Sequence, residues 1–297
     1  GLLLVSGAAS AAVYLVSARR RYRALADMSQ DIDRVLHGLD SQTIAACDEG
    51  ELAILSSEIR KMTVRLRQAA DSQHRERMQL ADAMADISHQ LRTPLTAINL
   101  TLSMLGREGL PEQERRALLQ ELRRLVTRME WLVETLLKMS RIDAGAVSFR
   151  EESCRAADII RRAVQPLAVP MELRGITLET AAGEECFTGD AAWSAEALGN
   201  VLKNCMEHAA SYIRVSARET ALFTEITVQD DGPGFRAEDL PRLFERFYRG
   251  KDAAPASVGI GLALARMVLS AQNGTIRADN ACPGGALFTL RWYRSTV

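Results

Sequence analysis

Apolar residues recur at alternating spacings of three and four through the middle of the chain. Met84, Ile87, Leu91, Pro94, Ile98 and Leu105 make a first run, and Leu118, Leu122, Leu125, Met129, Leu132, Leu136 and Met139 a second. This is the seam of a coiled coil or helix bundle, with one apolar stripe per helix. The segment GREGLPEQ between the runs holds two glycines and a proline, so the pattern predicts a helical hairpin. A lone hairpin cannot enclose its own seam. Either a second copy completes a four-helix bundle by homodimerisation, or the hairpin packs on its own chain.

The pattern differs on both sides of this hairpin. Arg20–Leu36 and Gly50–Leu80 are charge-rich, almost free of glycine and proline, and read as helices joined by a polar patch around Gly38–Gly50. Ahead of them LLLVSGAASAAVYLVSA carries no charge and is followed by RRRYR, Arg19 to Arg23. A span needs ~20 apolar residues, so residues 1–18 read as a transmembrane helix cut at its outer end. Basic residues on its C-terminal side place the remainder in the cytoplasm. A buried globular helix is the other reading of this stretch.

After the hairpin, residues 144–150 (AGAVSFR) read as a short linker, and from 151 the texture becomes mixed. Helices are predicted at Ile159–Leu167, Ala191–Ala210 and Gly259–Gln272. Strands are predicted at Ile176–Thr180, Tyr212–Ala217, Leu222–Gln229, Thr275–Ala278 and Ala286–Tyr293. The expected fold is therefore α plus α+β, a helical hairpin followed by a sandwich with helices on one sheet face. The expected domains are residues 1–18, 19–75, 76–146 and 151–297.

Composition narrows the function. A formal net charge of −1 gives no field that would draw nucleic acid. The five cysteines form no CxxC pair, which argues against a disulfide framework or a zinc site.

His89, in ADISHQLRTPLTAI, lies two residues from both Ile87 and Leu91. Two helical steps are about 200°, which turns His89 away from the seam toward solvent. An exposed imidazole on a rigid helix is reachable by a partner and nucleophilic when neutral. Taken alone, it reads as an ordinary surface histidine.

Four clusters in the second half carry further chemistry. NVLKNCMEHA sets Asn200 and Asn204 four apart on one helix face, where amide oxygens suit Mg²⁺. VQDDGPGF ends a strand in acids followed by Gly232 and Gly234, which let backbone approach a ligand. SVGIGLALA puts Gly259 and Gly261 at a helix start, where free N–H groups hold phosphate. No GK[ST] follows, so this is not a Walker A loop. LFERFYRG offers Phe244, Phe247 and Tyr248 as anchors and Arg249 as a phosphate partner, and residues 249–258 have a lid's composition.

Taken in chain order, with LFERFYRG between the two glycine clusters, these boxes resemble the sensor histidine kinases of bacterial two-component systems, over roughly Met78 to Tyr293. SHQLRTPL is similar to that family's phosphoacceptor box, NVLKNCMEHA to its N box, DDGPGF and GIGLALA to its two glycine boxes, and LFERFYRG to its F box. DEGELAILSSEIRKMTVRL resembles the second helix of a HAMP-type relay.

The resemblance implies a Bergerat-type (GHKL) ATP-binding sandwich behind a dimeric four-helix bundle. His89 would be the phosphoacceptor, flanked by Gln90 and Thr93. Asp230 would hold adenine N6, Asn204 the Mg²⁺, and Asn200 the metal and phosphate region. Arg249, Gly259 and Gly261 would hold phosphates, with Lys203, His208, Gly232, Gly234 and Leu262 completing the ATP-binding set. It also implies a membrane sensor kinase of the bacterial inner membrane with its catalytic part in the cytoplasm. Such a kinase uses ATP and Mg²⁺ and passes phosphate to an aspartate of a response regulator.

Three positions depart from the family. Gln90 stands where an acid usually accepts the histidine's proton, and an amide oxygen orients an N–H but takes no proton. Glu207 stands where a basic residue usually meets the triphosphate, and Ser257 replaces the first glycine of the second glycine box. Lys203, Arg249 or Lys251 could restore the charge. The competing readings are another ATPase on the same sandwich and a dimeric scaffold with a decayed ATP site.

Overall fold

The computed structural model describes residues 7, 11–16, 18–19, 22–23, 26, 51–107, 109–250, 257–282 and 284–294. The expected span at 1–18, the helix at Arg20–Leu36 and the polar patch lie largely outside these. Among the described residues no helix is long and apolar enough to cross a membrane. The chain divides into two compact units, Gly1–Met84 and Ala85–Val297.

Helix α1 spans Glu51–Leu105. The stretch expected at Gly50–Leu80 and the first arm of the hairpin are one helix, because no glycine interrupts them. Pro94 lies inside it, buried and without breaking it. The turn contains Gly109 at φ +78, a left-handed conformation that glycine adopts freely. Helix α2, Glu112–Asp143, starts after Pro111 with Glu112 and Glu114 in its first turn, where the helix dipole favours acids.

It stops on a Schellman turn. The Ala146 N–H donates to the Arg141 carbonyl at 2.9 Å, the Gly145 N–H donates to Ile142 at 3.0 Å, and Gly145 sits at φ +62.

Strand β1 (Glu152–Arg155), helix α3 (Ala156–Val164), a 3-10 turn (Gln165–Leu167), helix α4 (Ala168–Leu173), strands β2 (Thr177–Ala181) and β3 (Cys186–Gly189) and helix α5 (Ala191–His208) follow. Then come β4 (Tyr212–Glu219), β5 (Phe223–Asp230), a second 3-10 turn (Leu240–Arg242), α6 (Gly261–Ala271), β6 (Gly274–Asn280) and β7 (Ala286–Tyr293). The main sheet has the order β2-β4-β5-β7-β6, parallel only between β2 and β4. Strands β1 and β3 form a separate antiparallel pair.

The eight helices and strands expected after residue 151 are all present, with ends shifted by a few residues. Pairing β1–β3 and the short helix α4 were not expected. Each is six residues or fewer, too short for a period to register.

The core lies between the sheet and helices α3, α5 and α6. Ile159 and Ile160 of α3, Leu198, Val201 and Leu202 of α5, and Leu264, Val268 and Leu269 of α6 are buried. They meet Ile213, Val215, Ile226, Val228, Phe288 and Leu290 from the sheet. Each such side chain contributes about 1.5–3 kcal/mol through burial. Trp292 stacks on Phe187 with ring centroids 4.1 Å apart, so the β1–β3 pair covers the end of this core. Leu132 and Met139 of α2 belong to the same cluster, with Leu91, Trp131 and Leu136 half-buried against it.

The hairpin is thus packed on the sandwich. Ion pairs Lys138–Glu196 at 2.8 Å and Asp143–Arg246 at 2.7 Å flank the contact. The linker is held at its far end, where the Arg150 N–H donates to Asp190 Oδ2 and Phe149 meets Trp193.

Candidate active site

Helix α5 is fixed at its start by Asp190, whose carboxylate accepts from the Ala192 and Trp193 N–H groups. Its outward face at the other end carries Asn200, Lys203, Asn204, Glu207 and His208 toward one cavity of about 400 Å³. Strand β5 delivers Asp230 to the floor. Residues 233–236, 239 and 243 close one side, Tyr248–Gly250 and Ser257–Gly259 another, and Gly261 and Leu262 of α6 and Ala286 of β7 the remainder. Trp131 of α2 adds to the wall.

Asp230 is 1% exposed. Its Oδ1 accepts from the Gly232 and Ala286 N–H groups, both at 2.9 Å. Its Oδ2 is buried without a hydrogen-bond partner. A buried carboxylate oxygen left bare is costly unless a ligand donor completes it. The exocyclic amine of adenine is such a donor. Cys205 lies beneath this carboxylate, and burial first, then the Asp230 charge, pushes its thiol well above the usual range. It is therefore a packing group and not a nucleophile.

The neighbouring acid serves the fold. Asp231 accepts from the N–H groups of Ala210, Ser211 and Tyr212 and from the Ser211 hydroxyl at 2.5 Å, tying the end of α5 to the start of β4. Burial pushes its carboxyl up, but these bonds outweigh that and hold it at about 2, below the ordinary 3.8. The folded value being depressed, its stabilisation is present above pH ~4 and is lost as pH falls from about 4 to about 2. Asp231→Asn is expected to lower stability by ~1–2 kcal/mol at neutral pH. The gap to wild type should narrow in melts taken across that acid window.

The glycines have distinct reasons. A Cβ on Gly232 would lie 2.4 Å from the His208 carbonyl oxygen, so this residue admits a protein backbone and does not line the cavity. The lack of a side chain at Gly232 is what lets that carbonyl approach. Gly234 lines the cavity at φ +74, with Asn280 pressed against it. Asn280 Oδ1 accepts from the Phe235 N–H at 2.6 Å and its Nδ2 donates to the Phe235 carbonyl at 2.8 Å, which stitches the glycine turn to β6. Gly261 passes the Asn200 amide oxygen, 2.8 Å from where a Cβ would be.

The ends of the expected lid are fastened together. The Phe247 N–H donates to the Gly259 carbonyl at 2.8 Å, and a Cβ on Gly259 would lie 2.3 Å from the Tyr248 carbonyl oxygen. Phe247 takes φ +62, strained for a residue with a side chain. The Tyr248 hydroxyl donates to Asp239 Oδ1 at 2.5 Å, which pushes the phenol pKa up, and the Arg242 guanidinium covers the Tyr248 ring at 4.3 Å. Residues 251–256, including Lys251, lie outside the described residues.

Of the residues expected at the site, Asn200, Lys203, Asn204, His208, Asp230, Gly234, Arg249, Gly259, Gly261 and Leu262 share the cavity. His89, Gln90 and Thr93 lie on α1 and do not line it. His89 is exposed and Gln90 half-buried, and the Thr93 hydroxyl donates to the His89 carbonyl at 3.3 Å. Pro94 has no N–H to offer the Gln90 carbonyl, so backbone support changes just after the histidine.

Trp131, Asp239, Asn280 and the tether of Asp231 were not anticipated. Only Trp131 left a signal, as a bulky ring one position off the apolar seam.

Comparison with known proteins agrees with this geometry. The family model for the His Kinase A (phospho-acceptor) domain matches residues 79–145. That for the histidine kinase-, DNA gyrase B-, and HSP90-like ATPase matches residues 189–296. The signal transduction histidine-protein kinase/phosphatase MprB of Mycolicibacterium smegmatis is 31% identical over 300 residues, covering 96% of this chain and 58% of that protein. The histidine-protein kinase AfsQ2 of Streptomyces coelicolor is 33% identical over 225 residues, covering 70% of this chain and 41% of that protein. The chain therefore spans about half the length of these curated relatives, 58% of one and 41% of the other. The solved histidine kinase AdeS of Acinetobacter baumannii shares the fold, with TM-score 0.59 and 20% identity over 70% of this chain and 98% of that one. With a phosphoacceptor hairpin and a histidine-kinase-type ATPase domain in that order on one polypeptide, the chain belongs to the sensor histidine kinases of bacterial two-component systems.

Proposed function

We propose that this chain transfers the γ-phosphoryl group of ATP to His89 and then to an aspartate of a response regulator. The observation that carries this reading is the buried, bare Oδ2 of Asp230 at the floor of a cavity that also presents Asn200, Asn204, Arg249 and the start of α6. Adenine completes Asp230, and the phosphates run toward the amides and Arg249.

The donor set fits Mg²⁺ shared with phosphate oxygens, since such a site needs only one or two protein oxygens. Asn204 would hold it, with Asn200 beside it. The ion supplies neutralisation of charge on the transferring phosphoryl group.

The lone pair of His89 Nε2 forms a bond to the γ-phosphorus as the bond to the β–γ bridging oxygen breaks, and ADP leaves. The protein's part is positioning and electrostatics, by Arg249 and the N–H groups at the start of α6. Gln90 orients the ring through its amide, and the proton leaves to water. The exposed position of His89 supports access by both the donor domain and the regulator.

Homodimerisation is supported by a second apolar stripe. Leu95 and Leu102 on α1 and Leu119, Val126 and Val133 on α2 recur every seven residues and remain 40 to 50% exposed. A twofold-related copy covers such a stripe. Membrane anchoring, with a HAMP-like relay at 19–75, is supported by the uncharged run before RRRYR. The domain limits proposed are 76–146 for the phosphotransfer hairpin and 151–297 for the ATP-binding domain.

The test is incubation of the chain with Mg-ATP. Acid-labile, alkali-stable phosphate on the protein is expected. ATP turnover without it would favour a different ATPase, and ATP binding without either would favour a scaffold.

A further inference from the structure

The hairpin reaches into the nucleotide cavity through one side chain. Trp131 of α2 lines its wall, and the Lys203 ammonium of α5 sits over the indole face, 4.1 Å from the ring centroid. Lys203 and Asn204 line the same cavity, so the ammonium borders the space the nucleotide's phosphates would take.

The ring cannot easily follow if Lys203 turns away. Leu132, next in sequence, is 2% exposed, and Met139, two turns on, is 3% exposed, both in the core. The ion pairs of Lys138 with Glu196 and Asp143 with Arg246 hold the same helix.

We propose that Trp131 competes with the nucleotide's phosphates for the Lys203 ammonium, which makes it a positioning residue that sets how strongly ATP is preferred over adenosine. An ammonium on an aromatic face gives up part of its hydration for the ring's quadrupole. A phosphate is the stronger partner, because it carries full charge and accepts hydrogen bonds.

On ATP binding Lys203 leaves the ring and the hairpin loses one tie to the ATPase domain. By reciprocity, a hairpin held in this docked position weakens ATP binding by the same factor. Glu207, one turn after Lys203, lines the same cavity. Its charge acts on Lys203, while burial pulls the Lys203 pKa down.

The inference rests on the cavity being an ATP site. Titration calorimetry on the full chain measures ATP and adenosine binding to wild type, Trp131→Leu and Trp131→Phe. Leucine keeps an apolar wall without a π face, and phenylalanine keeps the face. Trp131→Leu is expected to bind ATP roughly three- to tenfold more tightly, with adenosine affinity unchanged, and Trp131→Phe to stay within about twofold of wild type.

Equal changes for ATP and adenosine, weaker or unchanged ATP binding by Trp131→Leu, or identical behaviour of the two variants would overturn it. A wild type that binds no ATP would instead remove the kinase reading beneath it.

Discussion

Asp230→Asn is expected to weaken ATP binding by on the order of 100-fold or more while leaving the fold in place. The asparagine Oδ1 can still accept from the Gly232 and Ala286 N–H groups, so the turn keeps both 2.9 Å bonds. What changes is the bare atom. Oδ2 becomes an NH₂ donor that faces the donor on adenine, and two buried donors then oppose each other. The same substitution should favour a purine with a keto group at that position, where the new donor meets an acceptor. Binding of ATP and of inosine triphosphate to both proteins, with a melt of each, checks this. A variant that binds ATP within a few-fold of wild type would show that Asp230 does not read the base.

The largest effect on stability is expected at Gly285. A Cβ there would lie 1.9 Å from the Asp230 carbonyl oxygen and 2.8 Å from its carbon, at φ +96. Both obstacles are backbone of a central strand, so neither can turn aside. Gly285→Ala combines a forbidden conformation with a backbone clash and should cost ~4 kcal/mol or more. Low soluble yield and a loss of Tm of roughly 8–16 degrees, about what that cost implies for a domain of this size, are the expected readouts. A Tm within a few degrees of wild type would contradict this account of how β5 and β7 close around the Asp230 end of the cavity. The two predictions concern one place: the strand end that sets the Asp230 carboxylate also excludes any side chain opposite it.

How much of this was legible beforehand follows from the range of each signal. The seam at Leu125, Leu132 and Met139 is a local period, and it marked α2 correctly. The alternation in Phe223–Asp230 and Ala286–Tyr293 marked two sheet strands. The boxes around Asn200, Asp230, Gly259 and Gly261 were legible because each is contiguous.

Strand β3, only Cys186–Gly189, was not, because its partner β1 lies more than thirty residues earlier. The reason for Gly232 was also hidden, since it depends on the carbonyl of His208 arriving from another element. The roles of Asn280, Asp239 and Trp131 are long-range in the same way. The sequence places Trp131 on a hairpin helix, and only the packing of Leu132 and Met139 brings its ring to Lys203.

His89 stands apart from the cavity, exposed on α1, so the role proposed for it requires transfer across a domain movement. The most direct measurement is labelling of the chain with γ-phosphate-labelled Mg-ATP, wild type beside His89→Ala and Asn204→Ala, followed by mapping of the acid-labile phosphate. Label on wild type alone, at His89, is the predicted result. Label that persists on His89→Ala would contradict it.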